Sequence, residues 1–305
     1  MIKVKNLVKN YGDFEAVKSI DFSIDHGEVV GFLGANGAGK STTLKILTGY
    51  LTPTSGSVLI NNLNIETDAH EIKKMIGYLP ESNPLYHDMF VYDLLKFTAN
   101  TRGIYNNDFK QAFDKVIVQC GLKEVIHKKV GECSKGYKQR VGLACAMIHD
   151  PKILILDEPV TGLDPNQIIE IRQLIKNLGK EKLVLMSSHI LQEIEATVDR
   201  IIIIDHGNIV ADGTTKKLMN QFMGNIKLTL EVIGFTDTKI EKFKELFHKA
   251  KIKKMKDSHK IVIEYKKKDD PRLDIFNFMV KNKLSLLEMN PQTANLEDIF
   301  RKLTN

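Results

Sequence analysis

The spacing of apolar residues changes along the chain, and the changes mark out its elements. From residue 2 to 24 short apolar runs alternate with turns. Ile20, Phe22 and Ile24 recur at period two ahead of Asp25-His26-Gly27, which predicts antiparallel strands with one covered face. Residues 29 to 33 are apolar on both faces and run into a glycine-rich loop, after which residues 42 to 47 have helical character that Gly49 can stop. Doubly apolar strands return at 153 to 156, 183 to 186 and 201 to 204, with helical segments around 165 to 178 and 190 to 196. That alternation predicts an α/β core with a largely parallel sheet covered on both faces.

Between about 91 and 149 the spacing is helical throughout, as in Val91, Leu94, Leu95 and Thr98 or Phe109, Phe113, Val116 and Ile117. A helical subdomain inserted into the core is expected, with residues 82 to 90 leading into it. After Gly224 the pattern becomes strand 226 to 232, helix near 238 to 249, strands near 252 to 256 and 260 to 265, helix 272 to 280 and strand 284 to 288. This order predicts a small α+β sandwich of ferredoxin-like type. Asn295 suits a helix N-cap, with Leu296, Ile299, Phe300 and Leu303 forming the apolar stripe of a closing helix. The expected domains are 1–223 and 224–305.

Composition adds limits. The 305 residues, 43% of them hydrophobic and 27% charged, suffice for two cores. No stretch approaches the roughly 18 to 20 consecutive apolar residues of a membrane-spanning helix, and the first residues lack the apolar run of a signal peptide. Any membrane role is expected to run through a partner. Cys120, Cys133 and Cys145 have neither disulfide-framework nor metal-ligand spacing, which fits a reducing cytosol. The net charge of +6 resides in the tail: residues 224 to 305 carry 18 Lys and Arg against 12 Asp and Glu, and the rest carry 26 of each.

The strongest chemical signal is Gly34-Ala35-Asn36-Gly37-Ala38-Gly39-Lys40-Ser41, set between a predicted strand and a predicted helix. Glycines such as Gly34, Gly37 and Gly39 let successive backbone N–H groups, those of Asn36 and Thr42 among them, curl around phosphates at a positive helix N-terminus. Lys40 reaches the β and γ oxygens, and the Ser41 hydroxyl can ligate Mg²⁺. The apolar strand 153 to 156 ends in Asp157-Glu158, which brings two carboxylates to the sheet edge. Asp157 is expected to hold the Mg²⁺ shell and Glu158 to polarise the attacking water as general base.

With these residues in view, the first 220 or so residues resemble the ATP-binding subunits of ABC transporters, whose motifs run in the same order from Tyr11 to His189. The resemblance implies a P-loop ABC cassette that binds and hydrolyses ATP with Mg²⁺. It implies that Tyr11 stacks on adenine and that His189, in Ser187-Ser188-His189, bonds the γ-phosphate and orients the water and Glu158. Cys133-Ser134-Lys135-Gly136-Tyr137-Lys138-Gln139-Arg140 matches the family signature, departing from it at Cys133, Lys135 and Tyr137. Through it Ser134 and Gly136 are expected to cap ATP held by a second, homodimeric subunit, with Asp164 at the dimer interface. Asp164 also suits an N-cap before Pro165. Glu81, in Gly77-Tyr78-Leu79-Pro80-Glu81, stands where the family usually has Gln and is expected to contact Mg²⁺ as a sensing switch.

Glu81, the Ser-Lys-Gly-Tyr signature and the extra C-terminal domain resemble subunits of ABC-2-type exporters, and among these the gliding-motility-associated subunits. The implied partner is a separate integral membrane permease docked near residues 82 to 95, which would place the chain in the cytoplasm on the inner face of the cell membrane. An ATPase of the same superfamily working on ribosomes or nucleic acid is the competing reading, although such ribosome factors resemble two tandem cassettes. A purely regulatory ATP binder fits poorly with Glu158 and His189 both present. The lysine runs 251 to 256 and 266 to 268 are interrupted by Ile252 and Met255 and followed by Asp269-Asp270, so they read as a solvated rim, with no nucleic acid expected.

Overall fold

In the computed structural model, which describes residues 1–222, 226–266, 268–292 and 296–304, the period-two stretch forms β1 (Ile2–Tyr11) and β2 (Phe14–Ile24), paired antiparallel. β3 (Val29–Leu33) is buried along its whole length and leads through the glycine loop into α1 (Lys40–Leu47). β4 (Ser55–Ile60) and β5 (Leu63–Asn64) complete an antiparallel sheet of order β2-β1-β4-β5. After α2 (Ala69–Met75) and β6 (Ile76–Leu79) come the helices α3 (Val91–Thr101), α4 (Asn106–Cys120) and α5 (Lys135–Met147).

The core resumes with β7 (Ile153–Leu156), α6 (Pro165–Gly179), β8 (Leu183–Ser188), α7 (Leu191–Glu195), β9 (Arg200–Asp205) and β10 (Asn208–Gly213). The second sheet has the order β10-β9-β3-β8-β7-β6 and is parallel except at its edge, where β10 pairs antiparallel with β9. Every residue of β3, β7 and β8 is buried, as a parallel strand covered on both faces requires. Each fully buried Ile, Leu or Val there contributes about 1.5–3 kcal/mol, so the sheet is a rigid platform for whatever its C-terminal edge carries.

The insertion is not helical throughout. α4 stops at Cys120 because Gly121 takes the left-handed conformation at φ +63°, and residues 121 to 134 form turns with a short 3-10 turn at Val130–Glu132. Leu122, Val125 and Val130 are buried all the same. Helix-like apolar spacing there comes from a loop folded back onto the insertion.

One compact unit is Met1–Thr215 and a second is Lys216–Lys302, with the boundary at the start of α8 (Thr215–Phe222). The second unit contains β11 (Ile226–Ile233), α9 (Asp237–Leu246), β12 (Lys251–Lys254), β13 (His259–Tyr265), α10 (Arg272–Lys281) and β14 (Ser285–Gln292), and most of α11 (Leu296–Leu303). Its antiparallel sheet, ordered β12-β13-β11-β14, is the ferredoxin-like arrangement. Leu228, Leu230, Val232, Ile261 and Ile263 form the inner face and pack with Phe243, Ile275, Phe278 and Met279. Asn295, the expected cap of α11, lies outside the described residues.

Candidate functional site

The site is assembled where β3, β7 and β8, neighbours in the core sheet, reach their C-terminal ends. β3 delivers the glycine loop. Ala35, Asn36 and Gly37 are exposed at its crest, while Gly39 and Lys40 are buried at its foot. Gly39 has φ +109°, and a Cβ there would lie 2.7 Å from the Ala16 carbonyl oxygen, so only glycine fits. The Lys40 ammonium donates to the carbonyls of Gly34 (2.9 Å) and Ala35 (3.2 Å) and lies 3.5 Å from Glu158 Oε1. The loop is thereby closed on its own lysine. Ser41 and Thr42 open α1 and are partly exposed.

β7 delivers the carboxylates, both almost wholly buried. Asp157 Oδ1 accepts from the hydroxyls of Ser41 (3.2 Å) and Ser187 (2.6 Å). Glu158 sits one residue further at φ +50°, a left-handed conformation that a glutamate adopts only under constraint. That turn points the two side chains apart. Glu158 Oε2 accepts from the Thr161 hydroxyl (3.0 Å) and lies 2.9 Å from His189 Nδ1, which must carry the proton in that contact. Lys40, Glu158 and His189 therefore form one connected set and Ser41 and Asp157 another, side by side at the same strand end. The structure places all five at the C-terminal edge of β3, β7 and β8.

β8 supplies parts that motif reading did not single out. Ser187 donates to Asp157 and accepts from the Glu158 backbone N–H (2.9 Å), so one buried hydroxyl ties the Asp157 carboxylate to the Glu158 backbone. Ser188 donates to the buried Glu193 (2.7 Å) and accepts from the Ile190 N–H (3.0 Å), bracing the backbone on both sides of His189. The available signal was two serines closing an otherwise apolar, doubly covered strand. A buried hydroxyl at such a place needs a partner.

Glu81 follows β6 and is exposed, and it lines an open cavity of about 440 Å³ together with Ser41, Lys45, Tyr78 and Asp157. Burial in this wall, with Asp157 nearby, pushes the Tyr78 phenol above its ordinary range. Tyr11 closes β1 with its ring about half exposed beneath Lys9, whose ammonium stands 5.4 Å from the ring centroid. Phe14, paired with Tyr11 across the hairpin turn, lines a second cavity with Ala35, Asn36, Gly37 and Ala38.

Ser134 and Gly136 stand apart from this group. Ser134 caps α5, its hydroxyl accepting from the Tyr137 N–H (3.3 Å), and Gln167 packs directly against Gly136. With Gly121, Tyr137, Arg140 and Glu170 they line a separate depression that contains no glycine-loop residue. Asp164 caps α6, accepting from the Gln167 N–H at 2.9 Å ahead of Pro165 at the first helical position. The same short helix start thus touches both the 161–164 loop and Gly136.

A parallel sheet whose strand runs through a glycine loop into a helix, with a lysine, a hydroxyl and a strand-end carboxylate pair beside it, is the constellation of a P-loop ATPase. Residues 17–161 match the family model described as ABC transporter. The chain belongs to the ATP-binding proteins of ABC transporters, a family that binds ATP and hydrolyses it to power transport. Members of this family dimerise and work with a membrane permease, and among the described residues no helix is long and apolar enough to cross a membrane.

The chain is 33% identical to the uncharacterized ABC transporter ATP-binding protein YxlF of Bacillus subtilis, over 100% of both chains. It is 41% identical to the bacitracin transport ATP-binding protein BcrA of Bacillus licheniformis, over 70% of this chain and 69% of that one. Among solved structures, the dimeric ATP-binding cassette MJ0796 bound to ADP and Pi is 26% identical and superposes with a TM-score of 0.64, covering 70% of this chain and 98% of that one.

Proposed function

We propose that the chain is the ATP-hydrolysing subunit of an ABC-2-type exporter, working as a homodimer on the inner face of the cell membrane beneath a separate permease docked near residues 82 to 95. The observation that carries the reading is the gathering of Lys40, Glu158 and His189 beside Ser41 and Asp157 at one sheet edge, the two sets joined through Ser187. The backbone N–H groups from Gly34 to Thr42 and the Lys40 ammonium bind the phosphates, and Tyr11 offers its exposed ring to the adenine. Lys40 exchanges its present carbonyl partners for phosphate oxygens. Glu158 accepts the proton of the attacking water, and His189, held through Ser188 by Glu193, fixes where that carboxylate points.

Ser41 and Asp157 present a hydroxyl and a carboxylate at 3.2 Å, the hard oxygen donors that Mg²⁺ takes, and Glu81 adds a second carboxylate to the same cavity. Bound there, the ion supplies charge neutralisation at the phosphate oxygens. Ser134 and Gly136 lie in a depression without a phosphate loop of its own, which supports their serving ATP on the opposite subunit, with Asp164 at the junction. The exporter reading draws on BcrA, named for bacitracin transport. A gliding-motility role rests on the resemblance carried by Glu81, the Ser134 to Tyr137 signature and the C-terminal domain.

Glu158→Gln tests the assignment. Loss of ATP hydrolysis by at least about a hundredfold with retained ATP binding is expected, and sustained hydrolysis would refute Glu158 as the base. Purification from membranes tests the partner: a stoichiometric hydrophobic permease is expected, and a ribosomal or nucleic-acid partner in its place would overturn the transport reading.

A further inference from the structure

The lysines that looked interrupted in the sequence are brought together by strand pairing in the second unit. In β12, Ile252 packs against the core, which turns Lys251 and Lys253 to the other face of the sheet. The register sets Lys253 directly opposite Lys260 of β13, and Lys227 of β11 lies on the same face two strands in from the edge. Lys249, in the turn before β12, joins them around one open concavity of about 770 Å³, whose single carboxylate is Glu264. Lys227, Lys249, Lys251, Lys253 and Lys260 are all exposed, and none has an ion-pair partner within 4 Å among the described residues.

Like charges directly opposite in an antiparallel pair destabilise the sheet. Glu231 stands opposite Lys260 and Glu264 opposite Lys227 in the register with β11, yet a face that sets Lys253 against Lys260 with three more ammonium groups around them keeps an excess of positive charge that negative charge from outside can meet. Five lysines against Glu264 within the concavity, with Glu231 opposite Lys260 at its border, leave a net positive surface that suits a polyanionic ligand. Among the described residues no phenylalanine, tyrosine, tryptophan or arginine lines the concavity, and its one ring is the His248 imidazole. The succession of large stacking rings and the guanidinium planes with which single-stranded nucleic acid is gripped are therefore reduced there to a single imidazole. Flexible point charges on long apolar stems suit phosphates that move laterally in a layer, as lipid headgroups do. Membership of a membrane-transporter family supplies the surface.

We propose that this face of the second unit docks on anionic phospholipid headgroups of the bilayer, giving the subunit a membrane contact independent of its permease. The proposal rests on family membership and not on the exporter reading. A lysine near an anionic leaflet contributes about fivefold in partitioning. Removing three is expected to weaken binding about a hundredfold.

The test is co-sedimentation of the full chain with phosphatidylcholine vesicles with and without about 30% phosphatidylglycerol, at low and high salt, a composition chosen to carry the surface charge that lysines sense. Wild type is expected to bind the anionic vesicles in a salt-sensitive way. The K251Q/K253Q/K260Q variant is expected to lose that binding while keeping its ATPase rate, and to melt no lower than wild type, because a like-charge pair has been removed. K239Q/K242Q/K244Q, the same charge change on α9 across the sheet, is expected to bind as wild type does. Absence of wild-type binding, or equal loss in both triple variants, would overturn the proposal. So would tighter, vesicle-competing binding of a single-stranded oligonucleotide, which would assign the face to nucleic acid. An intact permease interaction or ATPase activity in any of these outcomes leaves the transport reading standing, so the two fail separately.

Discussion

Ser187→Ala removes one hydroxyl, but that hydroxyl carries two loads. It donates to Asp157 Oδ1 at 2.6 Å and accepts from the Glu158 N–H at 2.9 Å, in a position with no solvent access. Losing the bond to the carboxylate costs about 1.5–3 kcal/mol, and leaving the Glu158 N–H buried without a partner adds about 1–3 kcal/mol. Part of this appears as global stability. The remainder appears as freedom of Glu158, whose left-handed backbone at φ +50° is held by that bond. If about 1.5–2 kcal/mol of positional precision is lost in the transition state, kcat falls about ten- to thirtyfold. ATP binding, which depends on the glycine loop and Lys40, should change little. The assay is steady-state ATPase kinetics with ATP titration and a thermal melt of the same preparations. Ser187→Thr keeps the hydroxyl and should recover most of the rate. A variant that melts lower yet turns over at the wild-type rate would refute a positioning role for Ser187 and leave it a packing residue.

Gly39→Ala forces a Cβ against the Ala16 carbonyl at φ +109°, so a loss of at least about 2 kcal/mol, read as a melting temperature lower by roughly 5 °C or more, should accompany loss of nucleotide binding. Burial first, and then Arg102 and Lys182, push His149 down to about 4 against its bond to the Ile76 carbonyl. The unfolded chain takes up that proton near pH 6.5 and the folded chain does not, so stability is complete above about 6.5 and declines as pH falls towards 4. Urea titrations across that range should show a shallower decline in His149→Asn. Burial raises the Cys120 thiol to about 12 and the Cys145 thiol to about 11, so both should resist iodoacetamide at pH 8 in the native protein and react only in denaturant.

Local chemistry made most of the ATPase legible in the sequence. A glycine loop between an apolar strand and a helix, an apolar strand ending in Asp157-Glu158, and a strand ending in Ser-Ser-His each declare themselves within a few residues, because phosphate binding and sheet-edge placement demand those neighbours in that order. The ferredoxin-like second unit was legible for the same reason: its strands alternate at period two and its helices at period 3.6. Tertiary structure decided what depends on pairing between distant segments. That Ser187 joins the Asp157 carboxylate to the Glu158 backbone, that Glu193 braces His189 through Ser188, and that Ser134 and Gly136 stand away from their own chain's phosphate loop follow from strand order and helix packing, which no local window contains. The helix-like spacing between 121 and 134 misleads because a loop folded onto a core buries apolar residues as a helix does. The lysines are the sharpest case. Along the chain Ile252 interrupts them, but a strand sends alternate residues to opposite faces, and the register with β13 then turns a broken run into one positive surface.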